Sequence, residues 1–139
     1  MSTIERFGVS MDATLLERFD HLIQSKGYSS RSEALRDLVR QEIVASEWEN
    51  PDAEVIGTLT LVYDHHERDL SRTLTEMQHH HCEQIICTTH IHIDPVNCLE
   101  VIVVRGKASV VQAVSDNLLA SAGVKHGKLV CSTTGKNLF

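Results

Sequence analysis

From Ile4 to Met11 apolar and polar positions alternate. Phe7, Val9 and Met11 fall on one side and Arg6, Gly8 and Ser10 on the other, the period-two signature of a short, half-buried strand. The period then becomes helical. Asp12 offers an N-cap, and Leu15, Leu16, Phe19, Leu22 and Ile23 recur at three- and four-residue intervals until Gly27 supplies a stop. Ser30-Arg31-Ser32-Glu33 is a capping-box pattern, and Ala34, Leu35, Leu38, Val39 and Ile43 form the stripe of a second helix. The polar stretch Ser46–Glu54, with the turn signal Asn50-Pro51-Asp52, interrupts the pattern. It divides the chain into an N-terminal domain over residues 1–48 and a C-terminal domain over 53–139. In the second part the pattern predicts a strand over 54–63 and a helix over 68–79. Paired strands follow over 83–93 and 98–105, around the turn Asp94-Pro95-Val96-Asn97. A helix over 107–122, ended by Gly123, and a closing strand over 128–132 complete the set.

This βαββαβ order is the ferredoxin-like arrangement, found in small-ligand regulatory domains of the ACT type, so the fold class expected is α+β. The N-terminal part is about as small as a self-sufficient core allows, and a lone strand leaves its backbone groups unpaired. Both facts predict an obligate dimer in which two copies pair their strands as an antiparallel ribbon.

Composition narrows the function. The net charge is −6, which argues against indiscriminate nucleic-acid binding and requires any DNA contact to come from locally placed groups. No run approaches the length of a membrane span, and MSTIERFGVSMD lacks the apolar core of a signal peptide, so a cytoplasmic location with no membrane partner is expected. Four cysteines in such a compartment read as metal ligands or buried thiols before disulfides.

The candidate chemistry lies between Gln78 and Cys98, where five histidines and three cysteines fall within twenty-one positions. A histidine run is also what a solvated helix end looks like, so spacing must decide. His90 and His92 leave one face of a strand, while Cys87 shares the other face with Ile91 and Ile93 and reads as a core thiol. Cys131, in the last strand, reads the same way. A three-residue loop of Pro95, Val96 and Asn97 would put Asp94 opposite Cys98 and His92 opposite Glu100, bringing Cys98 onto the face of His90 and His92; a two-residue loop would put it on the wrong face. In the first register Glu100 could accept a ring N–H from a ligand histidine. Three ligands leave one position, which His79, His80 or His81 could complete within the chain or across an interface. Imidazole with thiolate suits Ni, Cu or Zn; spacing does not choose between tetrahedral and square-planar geometry. No oxyanion site or substrate pocket is legible, so an enzyme is not expected. A metal-storage or metal-delivery protein would explain the histidines but leave the first 46 residues idle.

Two resemblances sharpen this. Residues 1–46 resemble the ribbon-helix-helix DNA-binding fold, in which the ribbon reads the major groove. The matching outward positions are Arg6, Gly8 and Ser10, with Gly8 standing where related proteins carry a polar side chain. Ser30, Arg31 and Ser32 lie where the second helix would point its N-terminus at a phosphate. The whole chain resembles the nickel-responsive transcription regulator family, NikR. The resemblance rests on RSEALRD at 31–37, the histidines at 79–81, His-x-His at 90–92, Cys98-Leu99-Glu100, and GVKHG at 123–127. It implies a Ni(II) cofactor held in a square plane by His90, His92 and Cys98 of one subunit and His79 of a neighbour. It also implies a homotetramer built as a dimer of dimers, a double-stranded DNA operator with palindromic half-sites, and repression of nickel-uptake genes. Arg68 matches a DNA contact of the regulatory domain, with Glu67 standing where a relative is basic, and Cys82 stands where some relatives carry histidine. Glu33 and Asp37 match carboxylates used for a cation between the domains.

Overall fold

The computed structural model describes residues 3–139, with the side chains of residues 68, 69 and 71 outside the description. Two compact units emerge, one running to Ile43 and including Asn137–Phe139, the other spanning Val44–Lys136.

In the first unit, α1 (Ala13–Ser25) begins at Asp12, whose carboxylate accepts the N–H groups of Thr14 and Leu15 at 2.9 and 3.2 Å. Gly27, at φ +80°, takes the left-handed turn that ends it. α2 (Arg31–Glu49) starts with Ser30 Oγ accepting the Glu33 N–H at 3.2 Å. The returning arm of the capping box is diverted: the Glu33 carboxylate accepts the Ser29 hydroxyl at 2.7 Å instead of a backbone N–H. Residues 3–12, where the alternation predicts a strand, form none within this chain and have no ladder partner in it. Among the described residues of this unit only Ile23 and Ala34 are buried, whereas Phe7, Val9, Leu15, Leu22, Leu38 and Val39 each expose about half their surface or more.

The second unit is a four-stranded antiparallel sheet of β1 (Glu54–Asp64), β2 (Ile85–His92), β3 (Asn97–Lys107) and β4 (Val124–Ser132), ordered β2-β3-β1-β4. With α3 (Arg68–His80) and α4 (Ala108–Leu119), this is the ferredoxin-like arrangement. Register explains the core. Leu59 faces Ile102, Leu61 faces Glu100 and Tyr63 faces Cys98, so these side chains share one sheet face. That face is packed by Leu70 and Leu74 of α3 and by Val111, Val114 and Leu118 of α4. Gly127 sits where the sheet meets α4; a Cβ there would press into Leu119 and come within 2.8 Å of Leu61 Cδ2. On the opposite face the chain itself leaves Ile91 and Val130 exposed beside half-buried Val62, Leu99, Val101 and Val103.

Three expectations shift. α4 stops at Leu119, and Gly123, at φ +92°, instead forms the turn into a β4 that begins four residues earlier than the pattern suggested. Cys87 is exposed, because its face of the sheet carries no helix of this chain. Cys131 is exposed too, although it pairs with Gly57 on the helix side, because it lies near the end of the edge strand β4.

Candidate metal centre

The centre forms where β1 and β2 end and β3 begins. The register of the β2–β3 hairpin sets its composition. His92 lies opposite Cys98 and His90 opposite Glu100, a slip of two residues from the expected three-residue loop. Asp94 fixes the longer loop. One carboxylate oxygen accepts the N–H groups of Val96 and Asn97 at 2.8 and 2.7 Å, the other accepts the Asn97 side-chain amide at 2.8 Å, and Ile93 N–H closes onto the Asn97 carbonyl at 3.0 Å. These donors hold the Asp94 carboxyl below its ordinary range. A slip of two preserves side-chain parity, so Cys98, His90, His92 and Glu100 still share a face. What changes is the neighbour of Glu100, which is His90 and not His92.

Cys98 is fully buried and its Sγ lies 3.4 Å from His92 Nδ1. Burial raises the thiol above its ordinary value of 9.0, and the carboxylates of Asp94, Glu100 and Asp64 raise it further. Glu100 is also buried, accepting the Tyr63 hydroxyl at 3.0 Å and the Gln78 amide at 2.9 Å. The same Tyr63 oxygen lies 3.0 Å from His90 Nδ1. With the phenol O–H donating its hydrogen bond to Glu100, His90 can donate Nδ1–H to the phenol oxygen, leaving the Nε2 lone pair free for a metal. Burial first, and the Glu100 carboxylate second, push the Tyr63 phenol upward, so it keeps its proton. Glu100 thus holds His90 through Tyr63 and reaches α3 through Gln78.

His79 follows Gln78 on α3 and is exposed. Within one chain it does not join the other candidate ligands. The donor cluster among the described residues is His65, His92 and Cys98, whose ligand atoms lie within 4.8 Å of one another. His65 is exposed and lies just past the end of β1. Its backbone N–H donates to the Val96 carbonyl at 2.6 Å, which carries it past the end of β1 to the hairpin tip. The β1–β3 register would have revealed this, but no motif in the sequence encodes it. The donor set, one sulfur and imidazole nitrogens on a preformed edge, fits a borderline divalent metal.

Any ion held by Cys98 needs the thiolate, and the raised thiol is protonated at neutral pH. Metal affinity should therefore rise about tenfold per pH unit on the alkaline side of neutrality, below the thiol's own titration. Competition with a chelator of known proton affinity measures this; a pH-independent constant would remove the thiol from the site.

The DNA candidates lie elsewhere. Arg6, Gly8, Ser10 and Ser32 are exposed, and Ser30 is a helix cap. The Arg31 guanidinium is held in a two-pronged ion pair with Asp20, both hydrogen bonds being 2.7 Å. The Arg68 side chain lies outside the described residues. Asp37 accepts the Tyr28 hydroxyl and an Arg40 N–H, both at 3.0 Å, while Glu33 is bonded to Ser29. Among the described residues no helix is long and apolar enough to cross a membrane.

Comparison with known proteins places these observations. Residues 56–132 match the family described as the NikR C terminal nickel binding domain, and residues 5–45 match the ribbon-helix-helix protein, copG family. Proteins described as a "putative nickel-responsive regulator" are similar over nearly their full lengths. That of Geotalea uraniireducens is 59% identical over 133 residues, covering 96% of each chain. That of Geobacter sp. strain M21 is 57% identical over 138 residues and 99% of each, and that of Thermococcus onnurineus 52% identical over 135 residues, 97% of this chain and 98% of the relative. An uncharacterized protein from Thermotoga maritima shares the fold at a TM-score of 0.50 and 22% identity, covering 56% of this chain and 96% of its own.

Proposed function

The chain belongs to the nickel-responsive regulator family, with a ribbon-helix-helix domain and a nickel-binding domain, and from that premise we propose that bound nickel controls its grip on an operator. Carrying the reading is the buried thiol of Cys98 facing His92 at 3.4 Å on a sheet edge that also presents His90.

In this reading His90, His92 and Cys98 of one chain and His79 of a neighbouring chain are the ligands, in a square plane. Ni(II) held by these residues would cross-link the two chains. Glu100 steadies His90 through Tyr63, and its bond to Gln78 links the same network to the residue beside His79. With His79 engaged, α3 and the loop before it, including Arg68, are ordered against the neighbour. Coupling to DNA then requires only that nickel bind more tightly to the DNA-competent arrangement.

The exposed apolar positions on α1, α2 and the preceding segment support a dimer whose paired strands form the reading ribbon. Arg6 would hydrogen-bond a guanine edge and Ser10 either base type, while Gly8 forgoes a contact. Ser30, Arg31 and Ser32 would lie at a phosphate, with Arg31 exchanging its Asp20 partner. The uncovered face around Ile91 and Val130 supports a second interface, and the two together give a homotetramer on palindromic half-sites. Glu33 and Asp37 are the candidates for a cation between the domains 1–48 and 53–139. The setting is cytoplasmic and the output is repression of nickel-uptake genes.

A duplex selected from a random pool by the nickel-loaded protein provides the test. Its affinity should fall by at least about fivefold when Ni(II) is removed, the lower end of ordinary coupling between sites. Equal affinity with and without one Ni(II) per chain would leave a metal-storage or metal-delivery protein instead.

A further inference from the structure

Within the stretch GVKHG at 123–127, Lys125 is out of step with its sheet. His126 lies opposite Val62 and Val124 opposite Tyr63, so Lys125 is the extra residue of a β-bulge in β4. A bulge leaves one residue without a ladder partner and re-aims its side chain. Here the ammonium reaches the hairpin of the metal centre, donating to Asn97 Oδ1 at 2.7 Å. β4 and β3 are separated by β1, two strand spacings of about 4.8 Å each, so only a long side chain can span them. It does so where β1 ends, since Asn97 lies opposite Asp64, the last residue of that strand. The Asn97 amide uses its two ends differently: Oδ1 accepts from Lys125, and Nδ2 donates to Asp94 Oδ2 at 2.8 Å. A lysine only donates and a carboxylate only accepts, so the amide has one satisfactory orientation. Asp94 in turn accepts the N–H groups of Val96 and Asn97. A continuous chain of bonds therefore runs from the bulge in β4 into the loop between His92 and Cys98.

We propose that Lys125 is a positioning residue of the metal centre, fastening the Cys98 end of the hairpin to β4 through Asn97. The inference rests on the proposed role of His92 and Cys98 as metal ligands. These two stand at the ends of the loop, opposite one another in the ladder, so the way the loop closes sets their separation. Asp94 closes it from within; Lys125 anchors it from outside, to a strand on the far side of β1. A loop already held in place loses less freedom when the ion arrives, which is how an outer residue raises affinity without touching the metal. The charge serves as well as the reach. The carboxyl of Asp64 is held down first by the His66 N–H and that of Asp94 first by the Asn97 amide, and the Lys125 ammonium adds to both. It thereby keeps two carboxylates at the hairpin tip from repelling each other and opening the loop.

The test titrates the full-length protein with Ni(II) in competition with a chromophoric chelator, at one pH and one salt concentration. Lys125→Met should weaken Ni(II) about three- to tenfold, at or below the low end for an outer partner of a metal site because the bond is exposed. Lys125→Arg keeps the charge and the reach, and should return the constant to within about twofold of the wild type, since one N–H to one oxygen is all the contact requires. Asn97→Ala should weaken Ni(II) by at least as much as Lys125→Met. Adding Lys125→Met to Asn97→Ala should then cost less than about twofold more, because the two act through one bond. Lys128→Met, which removes another exposed lysine of β4, should leave the constant unchanged. An unchanged constant in Lys125→Met would overturn the proposal. So would failure of Lys125→Arg to restore binding, full additivity with Asn97→Ala, or an equal loss in Lys128→Met, which would reduce the effect to net charge. The nickel reading fails on a different result: thiolate–nickel absorption that survives Cys98→Ala.

Discussion

Cys98→Ala should abolish the sulfur-to-nickel charge-transfer absorption that appears when Ni(II) is titrated into the protein, and with it nearly all stoichiometric nickel binding. The thiol is the only sulfur in the donor cluster and is fully buried against His92. Neither Cys87 nor Cys131 can replace it. Cys87 points to the opposite face of the sheet, paired with Val103, and Cys131 lies on β4, separated from β3 by β1. The substitution removes one small side chain, so the fold should survive with far-UV circular dichroism unchanged, and loss of metal can be assigned to the missing ligand. Conversely, Cys87→Ala and Cys131→Ala should leave the nickel spectrum intact. Retention of the thiolate band in Cys98→Ala would show that nickel is held elsewhere.

Leu59→Ala should produce the largest loss of stability among single truncations, about 2–5 kcal/mol. Leu59 is fully buried on the central strand β1, paired with Ile102 on one side and Leu129 on the other. Strand register prevents a neighbouring side chain from sliding into the space, so a cavity remains in addition to the lost transfer energy. The measurement is the urea midpoint of the whole protein at fixed chain concentration, because association contributes to apparent stability. A midpoint within error of the wild type would mean that the site collapses or that the core is differently arranged. The same substitution should weaken nickel binding only through stability, since Leu59 touches none of the candidate ligands' hydrogen bonds.

The limits of sequence reading follow a physical divide. Period and caps are local, and they gave the starts of α1 and α2 and the bounds of β1 and α3 to within a residue: Asp12 and Ser30 cap as expected, and Gly27 turns left-handed. Register is not local. Parity alone placed Cys98 with His90 and His92, and parity survives a slip of two, so the shared face was right although the loop was longer. The partner of Glu100 depends on register itself and came out differently. Burial is harder still. Cys87 was correctly assigned to the face opposite His90, but whether a helix covers that face is a property of chain topology. His65 illustrates the same point, because its approach to His92 depends on where β1 ends relative to β3, a relation between segments more than thirty residues apart.

The central claim is that nickel is held by ligands from two chains, and mixing two defective chains tests it most directly. His79→Ala and Cys98→Ala, each alone, should fail to give the square-planar thiolate spectrum at one Ni(II) per chain. Co-expressed as mixed oligomers, the first supplies His90, His92 and Cys98 and the second supplies His79. About one site in four is then complete under random assembly, and the spectrum should return in that proportion. A spectrum absent from the mixture, or present undiminished in His79→Ala alone, would contradict a site shared between subunits.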